Sequence, residues 1–90
     1  MQVIHAYTLR PTGRQLIAMP PGSKIVSAYI HDDLIQIAAI VDVGCQSEFL
    51  KERKIVVLGA GEPVPEGNLQ FIGTVKTPLQ YVWHVFELIP

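Results

Sequence analysis

"SKIVSAYIHDDLIQIAAIVDV", residues 23–43, is the stretch on which the fold turns. It is the longest run without an internal glycine or proline, and it supports two readings. Val26, Tyr29, Ile30, Leu34, Ile37 and Val41 fit the stripe of an amphipathic helix. β-Branched residues are dense from Ile25 to Val43, however, and they lose rotamer freedom in a helix. His31-Asp32-Asp33 also interrupts the run at its midpoint with polar residues, where a hairpin would turn. The hairpin is the favoured reading and the helix its rival.

On either side of this stretch, glycine and proline recur at short intervals: Pro11, Gly13, Pro20, Pro21, Gly22, Gly44, Gly59, Gly61, Pro63, Pro65, Gly67 and Pro78. Proline lacks the N–H that a sheet ladder needs, and glycine weakens strand interiors, so these positions read as connections. The pieces between them have strand length and are rich in Val, Ile, Tyr, Phe and Thr. The strands expected are Val3–Leu9, Gln15–Met19, Lys24–His31, Leu34–Val41, Phe49–Leu58, Leu69–Val75 and Leu79–Glu87. The fold expected is all-β: one domain over residues 1–90, a compact antiparallel sandwich or small barrel of about six to seven strands.

Side-chain alternation assigns faces. Leu69, Phe71 and Val75 should share one face of their strand, with Gln70 and Thr74 on the other. Two strands are apolar on both faces. Ile35, Ile37, Ala39 and Val41 oppose Leu34, Ala38 and Ile40; Tyr81, Trp83 and Val85 oppose Val82 and Phe86. A solvated outer face should alternate more cleanly, so a second cover is implied, either a long loop or another copy of the chain. Composition points the same way. Hydrophobic residues make up 49% of the 90 and charged residues 17%, and the mean hydropathy is +0.31. A homo-oligomer is therefore expected, with Ile35, Ile37, Val41, Tyr81, Trp83 and Val85 as its interface.

The formal net charge of −1 argues against non-specific nucleic-acid binding, which rests on many cations meeting phosphates. Cys45, the single cysteine, cannot form an internal disulfide and fits a reducing compartment, as an inert thiol. Met1–Arg10 lacks the pattern of a signal peptide, and Leu34–Val43 is too short to span a bilayer as a helix. A cytosolic protein without membrane attachment is expected.

Candidate chemistry is sparse. "KIVVLGAGEPVP", residues 54–65, runs from a β-branched strand into Gly59-Ala60-Gly61, as a dinucleotide-binding turn would. Val64 stands where the third glycine belongs, and Pro63, Pro65 and Gly67 are poor material for the continuous helix that would hold a pyrophosphate. A strand ending in a tight loop is the better reading. His5, His31 and His84 are scattered, with no metal-ligand spacing and no nucleophile in evidence. His84 is expected half-buried and bonded to a backbone group or a carboxylate, Glu87 being one candidate. Asp32-Asp33 suits local turn bonds better than a metal. No catalytic residue, metal site or cofactor is assigned. Cations fall in two groups: Arg10 and Arg14 around Pro11-Thr12-Gly13, with Lys24 beyond, and Lys51, Arg53 and Lys54. Most such residues are solvated, but a small anionic ligand would be sought at Arg10, Arg14, Lys24 and Arg53, with Arg10 and Arg14 first. Tyr7, Tyr29 and Tyr81 would stack on a base only if they face outward.

Taken whole, the chain resembles a family of short uncharacterised proteins from tailed bacteriophages and prophages. The residues that carry the resemblance are Met19-Pro20-Pro21-Gly22, Gly59-Ala60-Gly61, Ile72-Gly73-Thr74 and His84-Val85-Phe86-Glu87. Ala60 stands where those relatives have threonine. The resemblance implies a phage origin and a compact β fold, and it transfers no functional residue. With the absence of a catalytic constellation, it leads to a non-enzymatic binding protein of the host cytoplasm, one that inhibits a host defence factor or sequesters a small anionic ligand. The alternatives are a virion-associated structural component and, less favoured, an enzyme built around His84.

Overall fold

A computed structural model of the chain describes residues 1–11, 13–44 and 50–90. Thr12 of the first turn, Cys45, and Phe49, the expected start of the fifth strand, lie outside the described residues. Among the described residues seven strands follow one another: β1 Gln2–Leu9, β2 Gly13–Met19, β3 Lys24–His31, β4 Leu34–Asp42, β5 Lys51–Leu58, β6 Asn68–Lys76 and β7 Val82–Ile89. They form a three-stranded sheet, β1-β4-β3, and a four-stranded sheet, β2-β5-β7-β6. Every pairing is antiparallel. The Cα envelope is 16 Å in its thinnest direction, as two stacked sheets require.

The deciding stretch is a hairpin. His31 pairs with Leu34, leaving Asp32 and Asp33 as a two-residue loop. Their φ angles are 49° and 63°. That left-handed pair is what a type I′ turn needs to match the twist of its strands, and aspartate tolerates it through local hydrogen bonding.

The core lies between the sheets. Ile37, Ala39, Ile55, Val57, Val85 and Met19 are fully enclosed, joined by Leu9, Ile35, Val41 and Val75. Each large aliphatic side chain removed from water contributes roughly 1.5–3 kcal/mol. This corrects the interface reading for four residues. Ile35, Ile37, Val41 and Val85 point inward and are 3%, 0%, 1% and 0% exposed, so the chain's own second sheet covers them. Tyr81 is 61% exposed and Trp83 half-buried.

Two bulges change the faces. The β3–β4 register shifts at Val26 and the β6–β7 register at Ile72. Leu69 and Phe71 therefore face outward, opposite Leu88 and Phe86, while Val75 faces the core opposite Trp83. The expected sharing of one face by Leu69, Phe71 and Val75 is broken by the inserted residue. β3 and β6 pack together. At their seam Gly73 is so close to Ala28 that an added Cβ would lie 3.2 Å from the alanine Cβ.

The last strand is displaced from its expected bounds. Thr77–Tyr81 forms a turn, closed by Gln80 N–H to Thr77 O at 2.9 Å and Thr77 N–H to Tyr81 O at 2.8 Å. β7 starts at Val82 and runs on to Ile89.

β5 and β6 run parallel, with β7 between them. The connection from Leu58 to Asn68 must therefore cross the sheet. Pro63, Val64 and Pro65 lie beside Val56 and Leu58, and Gly67 touches Leu88. This crossover is the second cover for the β5 part of the four-stranded sheet's outward face. Val56 and Leu58 are buried as a result, at 1% and 7% exposure. Leu16 on β2 and Phe71 on β6, on the same face, stay 55% and 59% exposed. The outward face of the three-stranded sheet has no comparable cover among the described residues. Ile4 and Leu34 there are 67% and 49% exposed.

Candidate functional site

The basic run of β5 divides by strand parity. Arg53 faces inward. Its Nε and Nη2 grip both carboxylate oxygens of Glu87 on β7, the Nη2–Oε1 bond being 2.9 Å. Its Nη1 donates to Ser23 O at 2.8 Å and lies 3.6 Å from Met19 Sδ. Both side chains are largely buried, and the Glu87 hydrogen bond raises the guanidinium pKa further above its already high value. All three guanidinium nitrogens of Arg53 thus have partners within the chain. It is a structural strut, which removes it from the anion-binding candidates. Lys24 lies on that side of the molecule, beside Ile25, Phe71 and the strut, in a cleft that includes neither Arg10 nor Arg14.

Lys54 faces outward, and there the structure assembles a site. Arg10 at the end of β1, Arg14 on β2 and Lys54 on β5 line one open cleft of about 400 Å³ with Gln15 and Leu16. Arg14 stands opposite Val56 and Lys54 opposite Leu16 in adjacent strands. The corner that brings Arg10 to them is held by Gln15, which is 7% exposed. Its Oε1 accepts the Arg10 N–H at 2.8 Å, and its Nε2 donates to Arg10 O at 3.0 Å. Arg10 Nη2 reaches Arg14 O at 3.4 Å. No carboxylate lines the cleft, and none of the three cations is in an ion pair among the described residues. Arg14 also borders an apolar trough formed by Val56, Leu58, Pro63, Val64 and Pro65, with Glu62 on its rim. The combined surface can hold an anionic group through guanidinium and ammonium donors and seat an apolar moiety beside it.

The other candidates are placed apart. His84 Nδ1 lies 3.0 Å from Thr74 Oγ1 on the neighbouring strand. Glu87, three residues on, points to the opposite face and serves Arg53 instead. His5 is on β1, and His31 sits 3.4 Å from Asp32 at the hairpin tip. No group of three metal-ligating side chains comes together among the described residues. At the Gly-x-Gly turn, Gly61 has a φ of +87°, while Gly59 lies against the Trp83 ring, where a Cβ would be 3.1 Å from Cζ3. Strand β6, not a helix, follows that loop. Tyr7 and Tyr29 are half-buried; Tyr81 is exposed beside Trp83, their ring centroids 6.4 Å apart. Asp42 is held below the usual carboxylate range by the Gly44 N–H and by the Met1 ammonium.

A family described as a domain of unknown function, DUF7352, matches the chain over residues 1–90. The chain belongs to that family. No curated protein and no solved structure matches it. The DUF7352 assignment covers both the cationic cleft and the strut and names no activity for either. No helix among the described residues is long and apolar enough to cross a membrane.

Proposed function

We propose that this chain is a non-enzymatic binding protein that holds a small anionic ligand in the Arg10–Arg14–Lys54 cleft. One observation carries the reading: three cations, from β2, β5 and the turn that follows β1, converge on one cleft with no carboxylate lining it among the described residues. Like charges brought together leave a positive potential that an anion would relieve. The volume is within the range of small-molecule sites, and the apolar trough beyond Arg14 favours a ligand whose charged head carries an apolar part. Among the described residues no histidine or carboxylate lines the cleft, so those residues offer binding without a general base. The resemblance to phage proteins supports sequestration of a host metabolite in the host cytoplasm as the purpose.

An amide-resolved NMR titration of the ¹⁵N-labelled chain tests this, with inorganic phosphate and octanoate as probes. Saturable shifts are expected at Arg10, Arg14, Gln15, Leu16 and Lys54, with octanoate also moving Val56 and Val64. Arg14→Ala and Lys54→Ala should each weaken binding about tenfold, the scale of one charge-assisted contact. Shifts confined to other residues, or none at millimolar probe, would overturn the reading. Binding of an acidic peptide in place of both probes would assign the cleft to a protein partner instead.

A further inference from the structure

The two sheets have four edges, and three of them are guarded. β3 and β6 are each bulged and pack against one another. β2 carries Arg14 and lies beside Lys54 of β5. Cations and bulges of this kind keep sheet edges from pairing with other chains. β1 has neither. Gln2–Leu9 contains no Lys, Arg, Asp, Glu or Pro, and its register against β4 is unbroken over eight pairs. Among the described residues β1 pairs with β4 alone. Alternate backbone N–H and C=O groups along its other side therefore point away from the sheet, free to receive a strand.

We infer that β1 is a homodimerisation edge, at which the β1 strands of two copies pair antiparallel and join two three-stranded sheets into one of six. The geometry selects a second copy. A twofold axis normal to the sheet reverses strand direction and keeps each face on its own side, so the edge is complementary to itself. Even-numbered residues then meet even-numbered residues: Ile4, Ala6 and Thr8, which face outward with Ile40, Ala38 and Gln36. The exposed apolar positions Ile4 and Ala6 gain cross-strand neighbours, and no like charges are brought together. The same operation at β2 would bring two sets of Arg14 and Lys54 towards each other, which disfavours that edge. The pairing residues Ile4, Ala6 and Thr8 are not among those that line the cationic cleft, so the inference does not rest on the ligand-binding reading.

Sedimentation velocity over a concentration series tests the inference. A reversible dimer is expected in the micromolar range. Ile4→Lys and Ala6→Lys should each weaken it about tenfold or more, the cost of placing charges face to face at a closed edge. Both positions are exposed in the single chain, so the unfolding midpoint should hold at concentrations below the dimer range. Leu34→Lys, on the same outer face but on the central strand, should leave dimerisation unchanged. As a second readout, Ala6→Cys in a Cys45→Ser background should form an intermolecular disulfide under mild oxidation, and Leu34→Cys should not. A strict monomer at high micromolar concentration would overturn the proposal. So would a dimer weakened by Leu34→Lys but indifferent to Ala6→Lys, which would mean face packing.

Discussion

The outward sides of β5 and of the three-stranded sheet start from similar apolar material and end differently. On the four-stranded sheet, Val56 and Leu58 are buried beneath the Gly59–Gly67 crossover. On the three-stranded sheet, Ile4 and Leu34 stay open to solvent. The difference follows from topology. β5 and β6 are parallel neighbours of β7, so the chain must travel back over the sheet to join them, whereas β3 and β4 are joined by two residues that cover nothing. A strand that is apolar on both sides thus has two possible causes, an internal roof or an unmet partner surface. Connectivity decides between them, and composition does not.

The largest effect that separates the two halves should come from the strut of the roofed sheet. Glu87→Ala strands the Arg53 guanidinium in a site where its side chain is 18% exposed. A loss of about 3–5 kcal/mol in urea unfolding is expected, against almost none for Ile4→Lys on the bare sheet. A double replacement, Arg53→Met with Glu87→Leu, should recover much of that loss. If Glu87→Ala cost no more than a surface change, the strut would carry no structural role. The next effect concerns the roof itself. Gly67 has a φ of +124°, and an added Cβ would sit 2.8 Å from Leu88 Cδ1. Gly67→Ala should cost about 1–3 kcal/mol, since the backbone strain remains even if the leucine swings aside. Amide exchange should accelerate at β7 and stay unchanged at β4; equal acceleration in both sheets would erase the contrast drawn above. The smallest effect compares the hairpin turns. Gln80 has a φ of +72°, and Gln80→Gly should stabilise by up to about 1 kcal/mol. Asp33→Gly should gain less, because aspartate already tolerates that conformation. Paired thermal melts would show the ordering.

Much of this architecture is written in short-range patterns. Asp32-Asp33 marks the central hairpin because two polar residues between β-branched runs suit a left-handed turn. The division of Arg53 from Lys54 is legible from a period of two, and the same parity excludes Glu87 as a partner for His84 on the same face. Other features were hidden. The bulge at Ile72 reverses the facing of Val75, and an inserted residue leaves no mark in an apolar strand. Leu79 and Tyr81 look like strand residues, yet the Thr77–Tyr81 turn claims them, with Leu79 79% exposed. In the candidate site Arg10 and Arg14 could be named from the turn they bracket. Lys54 could not be joined to them without knowing that β2 pairs with β5, a contact between distant segments. Gln15 carried a weak signal: a polar residue sharing parity with Ile17 and Met19 on an inward face.

The position of β7 has a consequence for how the polypeptide is made. In chain order it is the latest strand, yet it fills the gap between β5 and β6, and neither of those can complete its hydrogen bonding until residues 82–89 have been synthesised. At ~5–20 residues per second, the apolar Ile55–Leu58 segment waits roughly two to six seconds after its own synthesis for a neighbour. A nascent chain in that condition is a natural client for a holdase, and slowing translation between β5 and β7 would lengthen its exposure.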